Sequence, residues 1–179
     1  MLWDISNEWT LFLDRDGVIN RRLMDDYVKT IDEFHLLNGV AAAVAHANQL
    51  FYKVVVVTNQ QGIGKGLMTE RNLLDIHHYC SELLARENAQ IDAYYFAPQL
   101  TADNCNNRKP KTGMAFQAKT QFPSIDFSKS IMVGDSNSDI EFGRNAGMKT
   151  VFVATDNTIH PTADLTVHSL AEFIQQLSL

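Results

Sequence analysis

Cysteine is scarce in this chain. Cys80 and Cys105 are the only two among 179 residues, too few for a disulfide framework, so a reducing compartment is expected. Long apolar runs are missing as well. Runs such as Val54-Val55-Val56-Val57 fall far short of the roughly 20 residues that cross a bilayer, so no membrane association is expected. The first residues, Met1-Leu2-Trp3-Asp4-Ile5, lack the basic start and apolar stretch of a secretory signal. These absences together predict a cytoplasmic protein. Proline numbers four, and no Pro- or Gly-rich linker divides the chain, so residues 1–179 read as one domain. Positive charge is not in excess either. Lys and Arg total 15 against 21 Asp and Glu, a net −6, which gives no general attraction to nucleic acid or anionic lipid. An anionic substrate would have to be held by local groups or a metal.

What is present is ordinary globular composition, 45% apolar and 20% charged. The elements alternate. Trp9 to Leu13 reads as a first strand. Val40, Val44, Ala47 and Leu50 recur at helical spacing and predict a helix over 39–51. Lys53 to Val57 is β-branched without alternation, as in a parallel strand buried on both faces. Thr69 is placed to cap a long helix whose apolar side carries Leu73, Leu74, Ile76, Cys80, Leu83 and Leu84. Ile91–Phe96, Ser130–Val133 and Lys149–Val153 read as further strands. Helices are expected over 112–121 and 138–146, the latter closed by Gly147, and a last one from Ser169 to Gln176. Such alternation predicts an α/β fold, a Rossmann-like three-layer sandwich around a parallel sheet. The connections are too short for a large cap domain. The least regular stretch is Pro98–Pro110.

Asp14-Arg15-Asp16-Gly17 follows the first strand directly. Ligands of parallel sheets bind at the carboxyl ends of strands. Two close carboxylates repel unless a cation or proton lies between them, and Mg²⁺ is the hard, oxygen-loving ion that answers this. Alone, such a pair also fits solvated loop acids or helix caps. A second acidic loop, Gly134-Asp135-Ser136-Asn137-Ser138-Asp139, follows the strand Ile131-Met132-Val133, so Asp135 can complete a metal site. Asp139 either supports this loop or sits in a helix's first turn, where negative charge is favoured. Thr58-Asn59-Gln60 ends the second strand with groups that suit phosphate oxygens, or simple turn chemistry. The following Gln61-Gly62-Ile63-Gly64-Lys65-Gly66 is not a nucleotide-binding P-loop, because Gly66 stands where Ser or Thr is required. Lys65 carries no assigned role. Arg108-Lys109-Pro110-Lys111 supplies cations just ahead of a helix, where an anion site is conceivable.

These segments resemble the motifs of haloacid dehalogenase-type phosphatases, in chain order and on matching elements, over about residues 9–155. The wording Phe12-Leu13-Asp14-Arg15-Asp16-Gly17-Val18-Ile19-Asn20, Val57-Thr58-Asn59-Gln60-Gln61-Gly62-Ile63 and Arg108-Lys109-Pro110-Lys111-Thr112-Gly113-Met114 is similar to the D-glycero-D-manno-heptose 1,7-bisphosphate 7-phosphatases, with histidinol-phosphate phosphatases as near relatives. The resemblance implies Asp14 as nucleophile and Asp16 as general acid and base. Thr58 and Lys109 would bind the transferring phosphoryl group. Mg²⁺ would be held by Asp14, Asp135 and the backbone carbonyl of Asp16, with Asp139 in support. Arg108 would grip the substrate, with Asn20, Tyr27, Asn59, Gln60 and Gln61 as further pocket residues. The segment Arg21–Asp26 is longer than the branch leads one to expect. Both relatives hold a structural zinc through Cys-x-His and Cys-x-Cys. Here those positions read Ala97-Pro98-Gln99 and Cys105-Asn106-Asn107, and zinc normally needs four Cys or His ligands. No structural zinc is therefore expected, and packing must order the loop, or leave it more mobile. The expected partner is a small phosphorylated substrate, a sugar bisphosphate or an amino-alcohol phosphate, on a monomeric enzyme. Histidinol-phosphate hydrolysis is the alternative reaction, and a non-catalytic sugar-phosphate-binding protein the alternative class. The acidic chain disfavours a polynucleotide substrate.

Overall fold

The computed structural model describes residues 3–156 and 158–177. Six strands form one parallel sheet: β1 (Thr10–Leu13), β2 (Lys53–Asn59), β3 (Ala93–Ala97), β4 (Ser130–Gly134), β5 (Lys149–Val153) and β6 (Leu165–Val167). Their spatial order is β3-β2-β1-β4-β5-β6. The described residues also form five α-helices: α1 (Val40–Leu50), α2 (Glu70–Ala85), α3 (Gly113–Gln121), α4 (Asn137–Ala146) and α5 (Leu170–Leu177).

Both faces of the sheet are covered, which gives the expected three layers. Leu11, Leu13, Val54, Val56, Ile131 and Val133 pack into a core with α1, α2 and α5. Phe12, Val55, Val57 and Met132 pack on the other side against Met114 and Ala118 of α3 and Phe142 of α4. This two-sided burial is why β2 reads as unbroken valine.

Local chemistry sets the element ends. Thr69 and Asn72 cap α2 reciprocally, each side chain bonded to the other's backbone. Gly147 ends α4 in the left-handed conformation at φ 84°. The Ser169 hydroxyl accepts from the Glu172 amide at 3.0 Å and starts α5.

Three details differ from the sequence reading. β3 begins at Ala93, not Ile91: the Asp92 amide still donates to the Val54 carbonyl (2.8 Å), but the Val54 amide donates to the Asp92 carboxylate (2.8 Å), which also takes the Lys53 ammonium (2.8 Å). Leu74 is 51% exposed. The buried stripe of α2 runs through Leu73, His77, Cys80 and Leu84, a spacing that keeps one face inward and turns Leu74 outward. β6 was not expected. Its three residues are too few to show a period, and it exists by pairing with β5.

The described residues form no separate cap. The long connection from β1 to α1 contains one short 3₁₀ turn, Ile31–Glu33. The irregular stretch after β3 is held by its own hydrogen bonds. The Asp103 carboxylate accepts from the Leu100 amide (2.8 Å), Lys111 Nζ donates to the Asn104 carbonyl (2.6 Å), and the Gly64 amide donates to the Pro98 carbonyl (3.0 Å).

Candidate active site

Strand order reverses at β1, which has β2 on one side and β4 on the other. A crevice opens at such a switch point, beyond the carboxyl ends of the strands. Asp14 leaves β1 there, its amide donating to the Val133 carbonyl at 2.9 Å. Thr58 and Asn59 close β2, and Asp135 follows the last residue of β4. Lys109 arrives from the loop before α3. Asn59 clips it in place, donating to the Lys109 carbonyl (3.1 Å) and accepting from its amide (3.0 Å). The resulting cleft has a volume of about 430 Å³, suited to one small molecule.

Lys109 is buried and ties three strands' worth of groups together. Its Nζ lies 2.7 Å from Asp14 Oδ1, 2.7 Å from the Val57 carbonyl and 2.6 Å from Asp139 Oδ1. The first two contacts are hydrogen bonds and the third is an ion pair. Burial alone would lower the Lys109 pKa, but Asp139 and Asp14 outweigh it and the pKa rises. For Asp14, burial pushes the carboxyl up, Lys109 pulls it down, and Asp139, Asp135 and Asp16 push it up again, leaving it raised. A cation beside Asp14 would reverse that balance.

Asp16 faces a different surrounding. Arg15 Nη2 donates to both its oxygens (2.9 and 3.0 Å), Asn20 Nδ2 to Oδ1 (2.9 Å) and Gln60 Nε2 to Oδ2 (2.8 Å). Burial would raise its pKa, but the Arg15 charge and these hydrogen bonds prevail and lower it. Arg15, Asn20 and Gln60 are all buried. Each leaves a polar atom unpartnered: Arg15 Nε and Nη1, Asn20 Oδ1 and Gln60 Oε1. Such atoms cost on the order of 1–3 kcal/mol each.

Among the described residues, one group of three or more side chains of metal-ligating type comes together: Asp14, Asp135 and Asp139, with oxygens all within 4.8 Å of one another. Two glycines make the room. A Cβ on Gly17 would lie 2.1 Å from Asp135 Oδ2, and one on Gly134 would lie 2.1 Å from the Asp139 Cβ. Asp139 serves both of its expected purposes. One oxygen pairs with Lys109, and the other accepts from the Ser136 amide (3.0 Å) and hydroxyl (2.7 Å) at the start of α4. With both oxygens engaged it fits a supporting place, while Asp14 and Asp135 retain an oxygen each for a hard cation such as Mg²⁺. Arg22 Nη1 reaches Asp135 Oδ2 at 3.1 Å. The Asp16 carboxylate stands outside this group.

The cleft wall contains Tyr27, Asn59, Gln61 and Arg108 as expected. Gln61 Nε2 donates to the Tyr27 hydroxyl (2.9 Å), and Arg108 Nη1 to the Gln99 carbonyl (3.3 Å). Asn20 and Gln60 depart from the expectation of pocket residues. Neither lines the cleft, because their side chains turn inward onto Asp16. Arg15, Lys65, Arg22 and Ser136 have no role on sequence grounds, yet each reaches the site. Arg15 carried a signal, a cation between two acids after a strand. Lys65, whose Nζ donates to the Tyr27 hydroxyl at 3.0 Å, also carried one as the single charge of a glycine loop. Arg22 and Ser136 gave none, since surface Arg and Ser are commonplace.

An aspartate beside a buried lysine, a second aspartate held two residues on, and an acid cluster across a switch point make up the site of a haloacid dehalogenase-type phosphatase, the class to which the relatives of this chain belong. Residues 106–178 match the HAD-hydrolase-like family. The chain is 40% identical over 140 residues to the D-glycero-alpha-D-manno-heptose-1,7-bisphosphate 7-phosphatase of Mycobacterium tuberculosis, covering 78% of this chain and 74% of that one. It is 40% identical over 145 residues to the beta-anomer enzyme of Neisseria meningitidis, covering 81% and 76%. The crystal structure of a D,D-heptose 1,7-bisphosphate phosphatase from B. bronchiseptica, complexed with magnesium and phosphate, superposes with a TM-score of 0.83 at 30% identity, over 95% of this chain and 98% of that one. The chain belongs to the D-glycero-D-manno-heptose 1,7-bisphosphate 7-phosphatase family.

Proposed function

We propose that this chain, acting as one catalytic domain and a monomer, removes the 7-phosphate of D-glycero-D-manno-heptose 1,7-bisphosphate with Mg²⁺. The observation that carries the reading is the Lys109–Asp14 pair at the mouth of the sheet, facing Asp135 and flanked by the held Asp16. A free oxygen of Asp14 attacks phosphorus and forms an aspartyl-phosphate. The sugar oxygen leaves with a proton from Asp16. Water then attacks the acyl phosphate, gives its proton to Asp16, and releases inorganic phosphate and Asp14. Splitting hydrolysis this way makes each step easier.

The donors around Asp16 favour its carboxylate, the form needed to accept a proton from water. A phosphate dianion arriving beside it favours the protonated form, as a like charge does, so the acid is made ready by the substrate. Lys109 donates to Asp14 and the Val57 carbonyl and pairs with Asp139. It therefore orients the nucleophile and balances charge, and the Thr58 hydroxyl is left to meet the phosphoryl oxygens. Mg²⁺, held by Asp14, Asp135 and the Asp16 carbonyl with Asp139 behind, would neutralise the phosphoryl charge. Arg108 and Tyr27 line the wall that receives the rest of the sugar. No structural zinc belongs to the segment around Cys105, and metal analysis showing one tightly bound zinc per chain would refute that. The family relationship supports a place in heptose supply for envelope polysaccharide, in the cytoplasm.

Phosphate release from both anomers of the heptose bisphosphate and from histidinol phosphate, with Mg²⁺ and with Asp14→Asn as control, tests the reading. The heptose substrate is expected to give the highest kcat/KM. A higher value for histidinol phosphate overturns the substrate assignment, and release by Asp14→Asn at a near-normal rate overturns the mechanism.

A further inference from the structure

Gln60 does not line the cleft, yet it touches two groups on which the proposed reaction depends. Its Nε2 donates to Asp16 Oδ2 at 2.8 Å and to Thr58 Oγ1 at 2.9 Å. An amide nitrogen has two protons, so both are used. The alternative amide orientation would set Oε1 against a carboxylate, which accepts only, so the Asp16 charge dictates which way the amide faces. The backbone is pinned as well, since the Gln60 amide donates to the Ala97 carbonyl at the end of β3 at 2.8 Å.

Two consequences follow for the catalytic groups. The Thr58 hydroxyl accepts from Gln60, so its own proton points elsewhere, and Thr58 lines the cleft. The spacing between Thr58 and Asp16 is set by one shared nitrogen. The arrangement is poor for stability, because Gln60 Oε1 is buried without a partner, as are atoms of Arg15 and Asn20, the other two residues on Asp16. An apolar side chain in the same space would avoid that penalty but would give up both Nε2 hydrogen bonds. Polar side chains kept at such a disadvantage around a reactive group point to a geometric task.

We propose that Gln60 is a positioning residue. It holds the Asp16 carboxylate at the distance from Thr58 at which it meets the leaving oxygen of the substrate. This rests on the reading of Asp16 as general acid and base given above.

Leaving-group dependence tests it. Departure of a p-nitrophenolate needs little help from an acid, whereas departure of a sugar or glycerol alkoxide needs a proton. The value of kcat/KM reports the steps up to that departure. Gln60→Met is measured with p-nitrophenyl phosphate and with glycerol phosphate, alongside the wild type, Asp16→Asn, and the double variant. The ratio of alkyl to aryl kcat/KM is expected to fall at least tenfold in Gln60→Met, within the factor of about 10²–10⁴ that an acid supplies. In the Asp16→Asn background the same change should alter the ratio less than about twofold, because the two act as one unit. Equal losses on both esters, or full additivity with Asp16→Asn, overturn the proposal. If Gln60→Met does not fold, Gln60→Glu, similar in size but unable to donate twice, is expected to show the same selective loss, and an unchanged ratio there overturns it. Should Asp16→Asn itself lose both esters equally, the acid–base reading fails and the Gln60 proposal with it. A wild type inactive on every ester would instead sink the phosphatase reading.

Discussion

Asp14 and Asp16 are two residues apart, and their surroundings push them in opposite directions. Burial and three other carboxylates raise Asp14, while Arg15, Asn20 and Gln60 lower Asp16. A cation held beside Asp14 would remove the push on its carboxyl. Asp14→Asn is expected to abolish turnover, and Asp16→Asn to lower kcat for the sugar phosphate by roughly 10²–10⁴-fold, both read by phosphate release. Lys109→Met should do more than slow the reaction. It leaves Asp14 and Asp139 buried beside each other without their cation, a loss of about 3–5 kcal/mol when a buried pair is broken. Urea unfolding in the absence of metal checks this, and unchanged stability would contradict the pairing.

Helix α2 carries His77 on its buried face, stacked on Tyr94 of β3 with ring centroids 4.5 Å apart. Burial first, then the Arg15 charge, pushes its pKa down to about 3, with Asp16 opposing. A folded-state pKa below the unfolded value of about 6.5 means the unfolded chain binds the extra proton first. The neutral ring's contribution is therefore whole above pH 6.5 and is lost as pH falls from there towards 3. His77→Phe should flatten the acid side of the stability curve by a few kcal/mol between pH 6 and pH 4. Chemical unfolding at both pH values measures this, and equal slopes for the two proteins would argue against it. The β4–α4 junction depends on a different constraint. Gly134→Ala would drive a methyl into Asp139, and the Lys109 pair with it.

In the whole molecule the acid cluster joins β1 to β4, so a bound cation acts on the sheet's centre. Asp14, Asp135 and Asp139 repel one another, and a ligand that binds only the folded state stabilises it by about 2.7 kcal/mol at one hundred times its Kd. Mg²⁺ added to chelator-treated protein is expected to raise the melting temperature. Asp135→Asn should match or exceed wild-type stability without metal, since one repelling charge is gone, yet gain little from Mg²⁺. A full Mg²⁺ response in that variant would exclude Asp135 from the metal site.

The order of strands and helices was legible because each side chain's burial follows from its own element. Unbroken valine in β2, the Thr69 cap and the Gly147 end are local statements about backbone and solvent. Asp14, Asp16, Thr58 and Asp135 could likewise be picked out, since reactive groups cluster just past strand ends, while Lys109 was marked by the basic run ahead of a helix. β6 and the outward turn of Leu74 could not, because each depends on what packs alongside. The same holds at the site. Asn20 and Gln60 read as polar loop residues, and nothing along the chain says that they face inward. Sequence alone determined which groups could do the chemistry. Only the tertiary structure decided that three buried donors hold Asp16, because hydrogen-bond partners 44 residues apart, as Gln60 and Asp16 are, meet through strand pairing and not through spacing.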